Sequence, residues 1–129
     1  MPNGFHGSKE QWERLEAPLP TIDNNLRSFA HSKNLDIDKN YHNWPSRSLE
    51  WENKGIKRKI QIYLENQNQK TYNLWLCAYR DKDNTRYWKN EFLKKNVLFS
   101  EISGNIEELL KKSFSTVESW TEKDLEKTN

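Results

Sequence analysis

Residues 59–79 read KIQIYLENQNQKTYNLWLCAY. In both halves of this stretch, small or aliphatic apolar side chains alternate with polar or aromatic ones. That is the two-residue period of a β-strand that buries one face. The polar run at residues 66–69 between the halves is typical of a turn. Because only antiparallel strands can be joined by a short turn, the stretch predicts a β-hairpin with one apolar face.

The same period continues on the N-terminal side of this hairpin. Leu49 and Trp51 alternate with polar neighbours, and residues 53–55, with the sequence Asn-Lys-Gly, are typical of a tight hairpin turn. We therefore expect a preceding strand that begins near residue 47 and pairs with the hairpin.

A third turn is predicted at residues 81–84, which are Asp, Lys, Asp and Asn. We interpret residues 86–94, beyond this turn, as a fourth strand. Trp88 and Phe92 lie four residues apart, however, and this spacing also fits one face of a helix. Strand and helix both stay open for this segment.

Helical periodicity flanks the strands on both sides. Ser8 and Gln11 form a capping box that predicts a first helix, which Pro18 and Pro20 end. A second helix is predicted to end near Asn34, and a last helix to begin near residue 105. Their apolar stripes consist of Leu19, Ile22, Leu26, Phe29 and Ala30 in the second helix, and of Ile106, Leu109, Leu110, Phe114, Val117 and Trp120 in the last.

The predicted order of elements is α-α-β-β-β-β-α. Each helix must bury its apolar stripe, and the sheet offers one apolar face for this purpose. We therefore expect a two-layer α+β fold in which the N-terminal and C-terminal helices pack on one face of a four-stranded antiparallel sheet. A chain of 129 residues fits a single domain over residues 1–129. Residues 1–7 and 121–129 are expected to be mobile.

The positive charge of the chain is concentrated in its middle. Residues 54–95 contain 11 Lys and Arg against 4 Asp and Glu, a net charge of +7, although the whole chain carries only +2. The same segment contains many of the aromatic residues. A basic surface with aromatic side chains is more often a binding surface than a reaction site.

The sheet face that points away from the helices is the main candidate site. The two-residue period puts Tyr63, Trp75 and Tyr79 on this face. Lys59 shares their register, and Arg86 lies close by. A protein partner could cover such a face, or single-stranded nucleic acid could stack on its aromatic rings. A third interpretation is that the face binds nothing. The aromatic residues would then be present because they are good strand formers, and the lysines because they protect strand edges.

The segment before the first strand is the second candidate site. Tyr41, His42, Trp44 and Arg47 lie within seven residues of one another. Loops on a rigid sheet often carry recognition, and an aromatic-rimmed pocket with one Arg could hold an anionic or planar ligand. The alternative is that Trp44 closes the end of the core and that the following proline sets the turn.

Sequence signatures of catalysis, metal binding and cofactor binding are missing. The 3 histidines are not at a metal-ligand spacing, and there is neither a Gly-rich phosphate loop nor a nucleophile elbow.

Cys77 is the single cysteine, which favours a reducing compartment. We find no signal peptide and no apolar stretch that could span a membrane. We therefore expect a cytoplasmic protein without metal or cofactor.

These features predict a small binding domain without enzymatic activity. Its expected partner is another protein or a second copy of the same chain, bound through the basic, aromatic sheet face. The first alternative is binding of single-stranded nucleic acid. The second alternative is an enzyme for a small ligand, which would use His42 and Arg47 of the loop at residues 41–47.

Overall fold

The structure is a computed structural model that describes residues 8–9, 19–35, 46–66 and 71–127. The helix predicted to begin at Ser8 lies almost entirely outside these ranges. The elements described are, in chain order, α1 (Leu19–Ser32), β1 (Ser46–Asn53), β2 (Ile56–Asn66), β3 (Thr71–Lys82), β4 (Thr85–Leu98), α2 (Phe99–Ser103), α3 (Ile106–Ser119), a 3-10 turn (Glu122–Asp124) and β5 (Glu126–Lys127).

The strands form one antiparallel sheet in the order β1-β2-β3-β4-β5. Two hairpins turn on pairs of residues with positive φ. These are Lys54 (56°) and Gly55 (74°) between β1 and β2, and Asp83 (53°) and Asn84 (63°) between β3 and β4. Turns of this kind match the strand twist and fix which residues lie opposite each other. The predicted four-stranded antiparallel sheet is confirmed, and a short fifth strand extends it.

Residues 86–94 belong to β4, so the segment left open between strand and helix is a strand. It pairs with β3 along nearly the whole length of both strands, from Lys82 opposite Thr85 to Thr71 opposite Leu98. A spacing of four residues fits one face of a strand as well as one face of a helix. The local pattern of this segment is compatible with a strand and with a helix. Its pairing with β3 therefore decides its structure.

The helices before and after the sheet pack on the same face of it, which confirms the two-layer α+β fold. The buried apolar residues form one cluster, with Leu64 partly buried against it. The cluster consists of Ile22, Leu26, Phe29 and Ala30 from α1; Leu49, Trp51, Ile56, Ile60, Ile62, Tyr72, Leu74, Leu76 and Ala78 from the sheet; and Ile102, Ile106, Leu109, Leu110, Val117, Trp120 and Leu125 from the C-terminal part.

One charged side chain, Arg58, lies inside this apolar layer. It occupies the β2 position between Ile56 and Ile60, on the face that the helices cover, and it is 1% exposed. Its guanidinium donates hydrogen bonds to the backbone carbonyls of Val117 and, at 3.0 Å, Trp120. The last carbonyls of a helix have no partner within the helix itself. Arg58 therefore fastens the C-terminal end of α3 to the sheet.

The chain after α3 folds back onto the sheet as far as residue 127. Thr121 and Asp124 form a capping box around the 3-10 turn, Leu125 is buried in the core, and β5 pairs with residues 87–88 of β4. A strand of two residues has no visible period, so the sequence pattern does not reveal it. The mobility of the chain ends and the single-domain organisation stay predictions.

Candidate functional site

The second face of the sheet carries no helix among the described residues, and we call it the helix-free face. The pairing register arranges its side chains in rows that cross the strands from β1 to β4. One row is Glu52, Lys57, Tyr79 and Trp88; the next is Glu50, Lys59, Cys77 and Asn90; the third is Ser48, Gln61, Trp75 and Phe92; and the fourth includes Ser46, Tyr63 and Asn73. Arg86 lies opposite Asp81 at the end beyond the first row. The structure thus brings Lys59, Tyr63, Trp75, Tyr79 and Arg86 to one face.

Four aromatic side chains form two cross-strand pairs on this face, with Cys77 and Asn90 between the pairs, and we call the four side chains the aromatic strip. Tyr79 of β3 lies opposite Trp88 of β4, and Trp75 lies opposite Phe92. Trp88 is 37% exposed and Phe92 is 40% exposed, while the two β3 residues are half-buried. Among the described residues, the large hydrophobic side chains classed as exposed are these two and Leu98, and all three lie on β4. Apolar exposure is therefore concentrated on one strand.

Trp88 and Phe92 are functional candidates that sequence reasoning missed. Their local period was ambiguous, so they had no register relative to β3. The turn at residues 83–84 carries the signal that could have found them. A two-residue turn there sets Lys82 opposite Thr85, and counting back along both strands puts Tyr79 opposite Trp88.

Two cations on the helix-free face are matched by carboxylates. Lys59 Nζ lies 3.3 Å from Glu50 Oε1. Arg86 donates hydrogen bonds of 2.8 and 3.1 Å to the two carboxylate oxygens of Asp81. The hydrogen bond from Arg86 lowers the pKa of Asp81 and keeps this carboxyl group charged. The face therefore carries charges of both signs, where the sequence led us to expect a basic surface.

Other cations of the basic segment lie on the opposite side of the sheet. Arg58 is buried beneath α3, Arg80 forms an ion pair with Glu122, and Lys89 Nζ lies 5.2 Å from the ring centroid of Trp120. Successive strand residues point to opposite faces. The net charge of +7 over residues 54–95 is consequently divided between two faces, and no single surface carries it.

Two cations of the helix-free face lie against the ring of Tyr79. The guanidinium carbon of Arg86 lies 4.3 Å from the ring centroid of Tyr79, and Lys57 Nζ lies 5.7 Å from it. Cations at these distances are attracted to the electron-rich face of the ring. Because Arg86 also holds Asp81, the contacts restrain the Tyr79 ring at the edge of the aromatic strip.

Tyr63 lies on the same face but belongs to a polar network beyond the aromatic strip. Its hydroxyl oxygen accepts a hydrogen bond of 3.0 Å from Asn73 Nδ2, which also donates to Glu65. The Asn73 side-chain oxygen accepts a 2.7 Å hydrogen bond from the backbone N–H of Asn96. Asn73 is 0% exposed. The contacts of Tyr63 thus support the sheet, and it adds no apolar surface to the strip.

Cys77 lies between Trp75 and Tyr79 on β3, and its side chain is half-buried. Burial raises the pKa of the Cys77 thiol, and this effect outweighs the opposing influence of Lys59. A thiol held in its protonated form is a poor nucleophile and a poor metal ligand. The position of Cys77 is therefore that of a small packing residue within the candidate surface.

The second candidate site is represented by Arg47 alone, because Tyr41, His42 and Trp44 lie outside the described residues. Arg47 is the second residue of β1 and lies opposite Ile62, on the face that the helices cover. Its Nε donates a 2.7 Å hydrogen bond to Asp23 of α1. The structure thus separates Arg47 from the aromatic strip and places it in a contact between α1 and β1.

Described residues line a shallow cavity beside the helices and another beside the sheet. One, of about 470 Å³, lies between α1 and α3 and is lined by residues such as Ser28, Lys33 and Lys111. The other, of about 290 Å³, is lined by Lys57, Tyr79 and neighbouring residues. Within the same part of the chain, no three His, Cys, Asp or Glu side chains come together as a metal site would require.

The described helices include none with the length and apolar content needed to cross a membrane.

Comparison of this chain with protein-family models, with curated proteins and with solved structures finds no match. The geometry of the helix-free face is therefore the basis for assigning a function.

Proposed function

We propose that this protein is a non-enzymatic interaction domain whose helix-free face binds another protein. The aromatic strip is the observation that carries the proposal. Trp88 and Phe92 are exposed side by side with Trp75 and Tyr79 on a sheet face. Exposed aromatic area of this kind is unusual on an idle surface, and Trp and Tyr are enriched at protein interfaces.

The charges of this face favour a protein partner over nucleic acid. Single-stranded nucleic acid binds through stacking combined with cations that neutralise phosphates. Here Lys59 and Arg86 already neutralise Glu50 and Asp81. Nucleic acid stays the alternative, supported by the position of Lys57 beside the Tyr79 ring. Arg47 is paired with Asp23, so it lends no support to an enzyme that uses the loop at residues 41–47.

The outer edge of β4 is less suited to a partner than the face is. The pairing register between β3 and β4 shifts on both sides of Leu74, and Asn96 adopts a positive φ of 57°. Irregularities of this kind, together with the charges of Lys94 and Lys95, are devices that protect an edge strand from adding a further strand. We therefore place the contact on the aromatic strip.

The proposal also includes a cytoplasmic location. A reducing environment keeps the Cys77 thiol free inside the contact surface. This part of the proposal is tested by fractionation of the cells that produce the protein.

Site-specific photo-crosslinking in those cells tests the binding surface. A photoreactive phenylalanine analogue replaces Phe92 in one variant and Lys112, an exposed residue of α3, in the matched control. We expect discrete protein adducts from position 92, insensitive to nuclease and lost when Trp88→Glu is added to the same chain. Adducts that nuclease removes would favour the nucleic-acid alternative. Equal adducts from both positions would contradict the proposal.

A further inference from the structure

The aromatic strip has a property that single aromatic residues would not show: it is nearly symmetric about the line between β3 and β4. Tyr79 and Trp88 flank this line in one row, and Trp75 and Phe92 flank it in another. A surface that pairs with its own copy about a two-fold axis must present, on one side of that axis, groups that complement those on the other side. The strip meets this condition in both rows.

The charges next to the strip are complementary under the same rotation. Lys57 lies on the β2 side of Tyr79, and Glu126 lies on the β5 side of Trp88, in one continuous row. Both side chains are exposed. A half-turn about an axis that runs along the strands between β3 and β4 would bring Lys57 over the partner subunit's Glu126. It would also bring Asp81 over the partner subunit's Arg86.

We infer that the protein bound by the helix-free face is a second copy of this chain, packed face to face about a two-fold axis parallel to the strands between β3 and β4. This inference rests on the proposed function and deepens it. Two sheets pack in this way about 10 Å apart and with a crossing angle of about 30°, which their twist allows. The assembly has the two sheets inside and the helices outside. Tyr79 lies against the partner subunit's Trp88, and Trp75 lies against the partner subunit's Phe92.

Lys57 and Glu126 offer a test that separates this arrangement from any contact within one chain. They lie three strands apart, or about 14 Å at the usual strand spacing, which is too far for an ion pair in the monomer. A charge exchange between these two positions can therefore restore a lost interaction only across an interface.

Sedimentation velocity of the purified full chain, over a range of concentrations and at low and high salt, measures the association. We expect a monomer–dimer equilibrium that persists at high salt, because apolar burial drives it. Trp88→Glu should raise the dimer dissociation constant by about 100-fold or more. Lys57→Glu and Glu126→Lys should each raise it by about tenfold, and the double variant should recover most of the loss. Lys112→Glu makes the same charge change on the outside of α3 and should leave it unchanged.

Circular dichroism of each variant shows whether its fold is retained. Lys57 and Glu126 are exposed and lie outside the core, so their substitutions are expected to leave the fold intact. A dimer that is indifferent to Trp88→Glu and Lys57→Glu would overturn the inference, because it would use another surface. A monomer at every concentration would overturn it as well. If crosslinking at position 92 then still captured a different protein, the proposed function would stand without self-association. If it captured nothing, both would fail.

Discussion

Neighbouring residues of the same strand point to opposite faces of the sheet, and the largest side chains are not the most deeply buried ones. On β3, Leu74, Leu76 and Ala78 face the helices and are 0% exposed. The larger Trp75 and Tyr79 are adjacent to them in sequence and point to the helix-free face, where they are half-buried. The covered face thus excludes water through an apolar cluster that it shares with the helices, whereas the helix-free face keeps aromatic area that lies outside this cluster.

Charged groups show the same contrast. On the covered face, Arg58 is a buried cation that donates hydrogen bonds to the backbone carbonyls of Val117 and Trp120 at the C-terminal end of α3. On the helix-free face, the next residue, Lys59, is a partly exposed cation paired with a carboxylate. A buried charge must keep its partners because water cannot replace them. A cation at the surface can exchange its partner for water or for another molecule. The first arrangement serves stability and the second allows binding.

The largest effect is expected from comparing Arg58→Ala with Lys59→Ala. Removing the Arg58 side chain takes the guanidinium donor from the carbonyls of Val117 and Trp120, and the Val117 carbonyl keeps the backbone N–H of Trp120. It also leaves Glu118 without its ion-pair partner, 3.5 Å away. We expect a loss of about 3–5 kcal/mol in the free energy of unfolding. Lys59→Ala removes a partly exposed ion pair and should cost less than about 1 kcal/mol. Urea unfolding measures both values.

Arg58→Met controls for the volume of the side chain. It keeps an apolar stem among Ile56 and Ile60 but loses the hydrogen bonds, so its cost should lie between those of the two alanine variants. Similar losses in the free energy of unfolding for Arg58→Ala and Lys59→Ala would contradict the distinction between the faces, because a cation would then contribute the same stability on each face.

The next largest effect is expected from Leu74 and Trp75, adjacent residues on opposite faces. Leu74→Ala leaves a cavity in the core and should cost about 2–5 kcal/mol. Trp75→Ala removes a larger side chain but should cost the monomer only about 1 kcal/mol, because the ring is half-exposed. Urea unfolding at low protein concentration keeps self-association from adding to the stability of the chain. A Leu74→Ala loss below about 1 kcal/mol would place Leu74 outside the core.

Trp75→Ala should act on binding where Leu74→Ala acts on folding. Crosslinking from position 92 and sedimentation of the folded Trp75→Ala variant measure this effect. A variant with wild-type association would show that the aromatic strip does not form the contact.

Features with a sequence period were predictable, and those that depend on distant partners were not. Alternation along residues 59–79 predicts β2 and β3, and the apolar stripes predict α1 and α3 close to their observed bounds. The five residues of α2 and the two of β5 are too short to show a period. Arg58 gives no local signal either, since the carbonyls that it binds lie about 60 residues further along the chain.

The candidate site was predictable in its aromatic residues and not in its electrostatics. Trp75 and Tyr79 follow from the strand period alone. The pairing of Lys59 with Glu50 depends on register, which the turn at residues 54–55 sets and which the net charge of a segment does not show. Summing charge along a sequence treats both faces of a strand as one surface. Assigning each cation to a face first would have indicated the mixed charge.

The smallest effect concerns Tyr72, whose hydroxyl group is enclosed on the covered face. Burial raises the pKa of Tyr72 to about 12, whereas the phenol of an unfolded chain titrates near about 10. The neutral phenol is therefore favoured by folding, and its contribution is complete below about pH 10. Above this value the unfolded chain releases its proton first, so stability should fall by up to about 2 kcal/mol as the pH approaches about 12. In urea melts between pH 9 and about 12, the free energy of unfolding of Tyr72→Phe should fall less steeply with pH than that of the wild type. Leu74→Val, a mild change in the same core without a titratable group, should keep the wild-type slope. Equal slopes for wild type and Tyr72→Phe would mean that water reaches this phenol, and that the two faces differ less in exposure than the packing of the helices indicates.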